Sequence, residues 1–204
     1  MVYRSTPQVR ARKQAQRERL LAAALERVRG EGFGGLRVAD VAAAAGVATG
    51  TVYRYFANRG ELCAEVFRRA SQREVDVLAE VVAGPGAAPE RLAAAARVFC
   101  ERAQAGRKIA YALLAEPVDP AVERERLVYR RAYAELFEGL IAEAISAGSA
   151  PAQDPALSAA FLVGALGEAL LGGLAAADPP PERLESLVQL TLRAVFARGA
   201  GASS

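Results

Sequence analysis

Residues 46–62 read GVATGTVYRYFANRGEL, and the middle of this stretch is a poor helix. Thr49, Gly50 and Thr51 stand where alanine would serve better, and Gly50 alone costs about 1 kcal/mol relative to Ala in a helix interior. The chain uses alanine freely elsewhere, so the weak helix former is a choice that stability does not explain. Its flanks give it a context. Upstream, RVADVAAAA (37–45) puts Val38, Val41, Ala42 and Ala45 on one helical face, and Gly46 breaks the run. Downstream, Asn58 is placed to cap a helix in which Leu62, Val66, Phe67 and Ala70 recur with helical period. Helix, glycine break, short polar-faced helix is the order of a helix-turn-helix.

Working outward, the rest of the chain is also helical. A first helix begins near Gln8, carries Leu21, Leu25 and Val28 at i, i+4, i+7, and ends at Gly32, with Phe33 folding back on the apolar face. Beyond residue 62 come long helices separated by AGPGAAP (83–89), EPVDP (116–120), SAGSAPAQDP (146–155) and DPPP (178–181). Asp119 and Pro120 open one of them in the cap-then-proline order. β-Branched runs are scarce and no repeat is visible. The pattern predicts an all-α chain of about nine helices, with the helix-turn-helix part over 1–58 and a larger helical part over 59–204.

Composition removes several function classes. The 204 residues contain no histidine, which excludes Ser-His-Asp and Cys-His catalysis and every His-ligated metal site. No catalytic set, metal site or cofactor motif is found. Cys63 and Cys100 lack CxxC spacing and sit in apolar phases, as small core fillers do; so few cysteines suit a reducing compartment. The N-terminus has no apolar signal segment, which points to a cytoplasmic protein. PALSAAFLVGALGEALLGGLAAA (155–177) is long enough to cross a bilayer, but Glu168 near its middle and the absence of Lys/Arg anchors speak for a helix buried on most sides within protein.

Charge is unevenly distributed. Residues 1–70 hold 13 Lys/Arg against 6 Asp/Glu, a net of +7, while residues 71–204 hold 13 against 17, a net of −4. A basic end on an acidic body suits polyanion binding, although a solvated basic helix gives the same count. The short helix can be read the same way. Val47, Val52 and Phe56 point inward, leaving Thr49, Gly50, Thr51, Tyr53, Arg54 and Tyr55 outward or sideways. Hydroxyls and a guanidinium reach phosphates and base edges, and glycine at a helix start admits close backbone approach. A weak surface helix whose aromatics belong to the core is the other reading of the same residues.

Residues 17–67 resemble the N-terminal DNA-binding domain of the TetR/AcrR family of bacterial transcriptional regulators. The resemblance rests on Gly32-Phe33, Asp40-Val41-Ala42, Gly46-Val47, the GTxYxYF run from Gly50 to Phe56, and Asn58, Arg59 and Leu62. It implies that residues 48–54 form the recognition helix and 38–44 its support. Thr49, Gly50 and Thr51 would lie near base edges, Tyr53 and Arg59 would hold phosphates, and Arg54 would touch backbone or bases of double-stranded operator DNA. The chain departs from the family at Ala48, which loses a capping hydroxyl, at Thr49, often lysine, at Arg37, usually a capping threonine, and at Ala39. Specificity would then lean on Arg54, Arg37 and DNA shape.

The remaining two-thirds resembles the family in architecture alone. It implies a homodimer through the last two helices. The nearly all-round apolar helix supports this independently, since a two-fold mate would supply missing cover. Leu162, Gly164, Leu166, Gly167, Leu170 and Leu174, with Leu187, Leu192 and Val195, are the expected interface. A pocket for a small hydrophobic or amphipathic effector would lie among helices spanning 60–145, with Phe99, Tyr111, Leu114, Tyr129, Tyr133, Phe137 and Phe161 as candidates. Such aromatic stripes serve as core or as ligand lining, and the spacing alone fits both.

Overall fold

The computed structural model describes residues 6–175 and 181–197, and side chains except at 173–175 and 181. Among them are nine helices and no strand: α1 (Pro7–Glu31), α2 (Val38–Ala44), α3 (Thr49–Val52), α4 (Arg59–Val82), α5 (Ala88–Ala105), α6 (Arg107–Leu114), α7 (Pro120–Ser146), α8 (Pro155–Ala175) and α9 (Pro181–Phe196). Local chemistry sets most boundaries. The Thr6 hydroxyl accepts the Val9 N–H ahead of Pro7, and α1 stops where Gly32 takes φ +75°. At α4, the Asn58 side chain accepts the Glu61 N–H at 2.9 Å while the Glu61 carboxylate accepts the Ala57 N–H at 2.6 Å, so two orphan donors are satisfied at once. Asp154 accepts the Ala156 and Leu157 N–H groups at the start of α8.

Two buried clusters organise the chain. The first gathers Leu20, Leu21, Val28 and Phe33 with Val41, Val52 and Phe56, and is completed by Leu62, Val66 and Phe67 of α4. Ala112 of α6 and Val122 of α7 also belong to it, each fully buried. The second lies between α5, α7, α8 and α9 and includes Leu78, Leu92, Phe137, Ile141, Leu162 and Leu166. Helix α4 serves both, with Leu62–Phe67 in one cluster and Leu78 in the other. Its 24 residues span about 36 Å at 1.5 Å per residue, which makes it a rigid strut between them. Cys63 and Cys100 are buried as small fillers, one in each cluster, and burial pushes both thiols up to about 11.

Helix α8 departs from its sequence-based expectation in two ways. It is not covered on most sides, since only 22% of Pro155–Gly172 is buried within the chain. Nor is the expected interface stripe the outward one. Leu162, Leu166 and Leu170 are at most 5% exposed and pack into the second cluster, as does Val195 of α9. A side chain so fully buried in one chain has no surface left for a partner. Leu187 and Leu192 are half-buried against the same cluster, Gly164 is exposed, Gly167 is half-buried, and the Leu174 side chain lies outside the described residues. Instead, Leu157 and Phe161 of α8 face outward, 69% and 62% exposed, with Leu190 of α9 at 56%. A helix apolar on every face carries no phase signal, so its inward stripe cannot be chosen from sequence alone.

Candidate nucleic-acid interface and effector cavity

Helix α3 is a single turn held from behind. Val52 and Phe56 are buried and Val47 packs against the first cluster. Ala48 caps α3 without a side-chain hydrogen bond, so the turn is closed by the backbone, with the Thr51 N–H donating to the Ala48 carbonyl at 2.8 Å. Outward lie Thr49, Gly50, Arg54 and Tyr53, the last 51% exposed; Thr51 is half-buried. Tyr55 turns sideways, half-buried against the first cluster. A Cβ at Gly50 would meet nothing within 4 Å, so no packing inside the chain demands glycine there. Arg37 caps α2 with backbone only and is exposed. The side chains of Arg37, Thr49, Thr51, Tyr53 and Arg54 make no hydrogen bond or ion pair among the described residues.

Arg59 is arranged differently. Its guanidinium faces the chain: Nε donates to the Leu36 carbonyl at 2.9 Å, Nη2 donates to the Phe33 carbonyl, and Nη1 pairs with Asp119 at 2.9 Å. The group expected to hold a phosphate is thus engaged within the protein. Asp119, expected to cap α7, makes no capping hydrogen bond and serves Arg59 instead.

The turn at 33–36 is held from its other side by residues whose partners the sequence does not reveal. The Glu116 carboxylate accepts the Phe33 and Gly34 N–H groups, each at 2.8 Å. Gly32 is required here by its positive φ, and a Cβ would also stand 2.7 Å from a Glu116 oxygen and push that carboxylate aside. Lys108 donates to the Gly30 carbonyl at 2.8 Å, at the end of α1. Behind Glu116, Arg126 is 7% exposed, and it donates to the carbonyls of Leu113 at 3.0 Å and Glu116 at 2.7 Å and pairs with Glu123. These bonds satisfy carbonyls left open by the end of α6. EPVDP reads in sequence as punctuation only, because partners 83 residues apart leave no local mark.

A cavity of about 1120 Å³ opens between α1, α4, α5, α6, α7 and α8. Phe99, Leu114, Tyr129, Tyr133 and Phe137 line it, as the sequence leads one to expect. Tyr111 and Phe161 do not; they point to solvent, 47% and 62% exposed. Tyr133 packs edge-on against Phe99 at 5.8 Å, and burial raises its hydroxyl pKa. The Tyr129 hydroxyl donates to Gln72 at 3.1 Å. Arg126 lines the cavity too, so one side chain touches both this space and the turn-holding segment.

Comparison with known proteins agrees with this geometry. Residues 20–66 match the family model of bacterial regulatory proteins, tetR family. Uncharacterized HTH-type transcriptional regulators of Mycobacterium bovis and Mycobacterium tuberculosis are 36% identical over 159 residues, covering 78% of this chain and 72% of theirs. The chain belongs to the tetR family. Its fold is also that of tetR-type regulators of known structure. FadR from Bacillus subtilis, solved with stearoyl-CoA, superposes with a TM-score of 0.70 at 19% identity, covering 88% of this chain and 97% of FadR. RolR, solved with resorcinol, also gives 0.70 at 19% identity, with 91% and 89% covered. As a tetR-family member the chain is a transcriptional regulator with a helix-turn-helix, and α2 and α3 are the two helices of that motif.

Proposed function

We propose that this chain is a ligand-responsive repressor that binds a palindromic operator as a homodimer in the cytoplasm and is released by a small hydrophobic or amphipathic effector. Residues 1–58 form its DNA-binding unit and 59–204 its ligand-binding and dimerisation unit. The reading calls for no cofactor and no catalysis. It is carried by the contrast at α3: a turn anchored by buried Val52 and Phe56 presents Thr49, Gly50, Thr51, Tyr53 and Arg54, whose side chains have no hydrogen-bond or ion-pair partner among the described residues. Tyr53 would donate to a phosphate while Arg54, Arg37 and the threonines reach the groove. Arg59 has a positioning role, since its donors already hold the turn at 33–36.

The exposed apolar faces of α8 and α9, with Leu157, Phe161 and Leu190, are the surface a two-fold mate would cover. The mate sets the spacing of the two α3 turns, which must be about 34–36 Å apart to enter successive major grooves. The cavity and the solved ligand complexes of similar regulators support a small-molecule effector. Its effect would travel through Arg126 and Glu116 to the α1–α2 turn, and through Arg59 to α4. A coupling of about 1–3 kcal/mol lowers operator affinity roughly 5- to 150-fold.

Selection of bound duplexes from a random pool tests the reading. The expected product is an inverted repeat whose half-sites are about 10–10.5 base pairs apart, centre to centre, or a multiple of that. An unenriched pool, or single half-sites bound by monomers, would overturn it.

A further inference from the structure

The lining of the cavity combines a set of apolar side chains with an unusual number of arginines. Phe99, Leu114, Phe137, Val163, Leu166 and Leu171 supply the apolar set, drawn from α5, α6, α7 and α8. Seven arginines reach the lining, and five have partners. Arg29 pairs with Glu26, Arg69 with Glu18, Arg102 with Glu74, Arg126 with Glu123 and Arg131 with Glu135. Arg73 and Arg130 have neither an acid nor a carbonyl partner among the described residues. They belong to one level of the fold. The Tyr129–Gln72 hydrogen bond pins α7 to α4, and Arg130 and Arg73 are the next residues on each helix.

The acids of the lining are distributed differently. Glu26, Glu74 and Glu135 are neutralised by their arginines. Glu138 and Glu168 have no such pair, but Glu138 lies eight residues beyond Arg130, about 12 Å along α7, and Glu168 is on α8. Toward α4 and the first half of α7 the lining thus offers Arg73 and Arg130 without acid partners, although Asp76 and Glu125 also stand near Tyr129. The cavity's volume of about 1120 Å³ leaves room for an extended apolar chain.

Resting on the ligand-responsive reading above, we propose that the effector is an amphipathic anion, with its apolar body among α5, α7 and α8 and its carboxylate or phosphate held by Arg73 and Arg130. Two guanidinium forks closing on one anion would give charge-assisted, bidentate recognition.

Titration calorimetry on the full-length protein tests this with four probes sharing one chain and differing in the head: dodecanoate, dodecyl phosphate, dodecanol and dodecyltrimethylammonium, each below its micellar concentration. The anions are expected to bind at least about tenfold more tightly than dodecanol. The double variant Arg73→Gln/Arg130→Gln, which changes exposed side chains, should lose that preference while keeping its dodecanol affinity. Tighter binding of dodecanoate assigns a fatty carboxylate, and tighter binding of dodecyl phosphate a phosphorylated ligand. The proposal is overturned if the alcohol or the ammonium binds as well as the anions, if no probe binds, or if the double variant keeps the preference. Operator release is scored separately by gel shift. Anions that bind selectively but leave DNA bound would defeat the regulatory reading and spare the headgroup assignment; release by dodecanol alone would do the reverse.

Discussion

Arg59 and Glu116 hold one backbone turn from opposite sides, the first taking the carbonyls of Phe33 and Leu36 and the second the N–H groups of Phe33 and Gly34. Each grip joins the α1–α2 turn to a different element, α4 in one case and the α6–α7 segment in the other. Arg59→Ala and Glu116→Ala are each expected to lower stability by about 1–3 kcal/mol in urea denaturation, the cost of stranding partly buried polar groups. Because they share the turn, the double variant should cost less than the sum. Arg59→Ala should also leave the salt slope of DNA binding unchanged. A slope smaller by about 0.9 would assign Arg59 to a phosphate after all.

Tyr53→Phe removes one donor from an exposed ring and nothing from the core. Binding to all duplexes should weaken to a similar degree. A loss confined to one base position, seen by competition among operator variants, would make Tyr53 a base reader. Arg54→Ala is expected to cost about 1–3 kcal/mol and to relax preference at one position.

The two faces of α8 separate assembly from folding. Phe161→Glu places a charge on the outward face and should give monomers by sedimentation with helical circular dichroism retained. Leu166→Glu buries a carboxylate in the second cluster and should instead abolish cooperative folding. Dimers persisting in Phe161→Glu would place the interface elsewhere.

Acid should loosen the junction between α1 and α4. Burial works against ionised Glu65, but hydrogen bonds from Arg17 and Arg68 prevail and hold its pKa below the ordinary 4.5. A depressed carboxylate stabilises the fold above its unfolded pKa and loses that contribution as pH falls through the folded value. Glu65→Gln should therefore flatten the fall in melting temperature below about pH 4.5. An unchanged acid limb would show that the pair contributes nothing net.

What the sequence discloses is what local chemistry encodes. The Asn58 cap, the glycine stop after α1 and the buried face of α3 follow from period and capping, whereas period alone does not divide the aromatics between core and cavity. The resemblance implies a phosphate role for Arg59, and its engagement within the chain leaves no local mark, since Asp119 lies 60 residues away. Glu116 is conspicuous in sequence as an acid, but its partners 82 and 83 residues away are not legible there. The phase of α8 was hidden because Leu, Ala and Gly occur on all its faces, so only packing against α5 and α7 selects the inward stripe.

Ala112 and Val122, set deep among the side chains of the first four helices, bear on recombination. A hybrid joining the first 58 residues of one relative to the body of another would inherit a head whose inner packing is finished by foreign residues. It would also inherit a turn at 33–36 whose counterparts at 116 and 119 come from the other parent. New operator preferences can therefore spread by exchange only between parents matched at both places, whereas point changes on the outer side of α3 are free of that constraint.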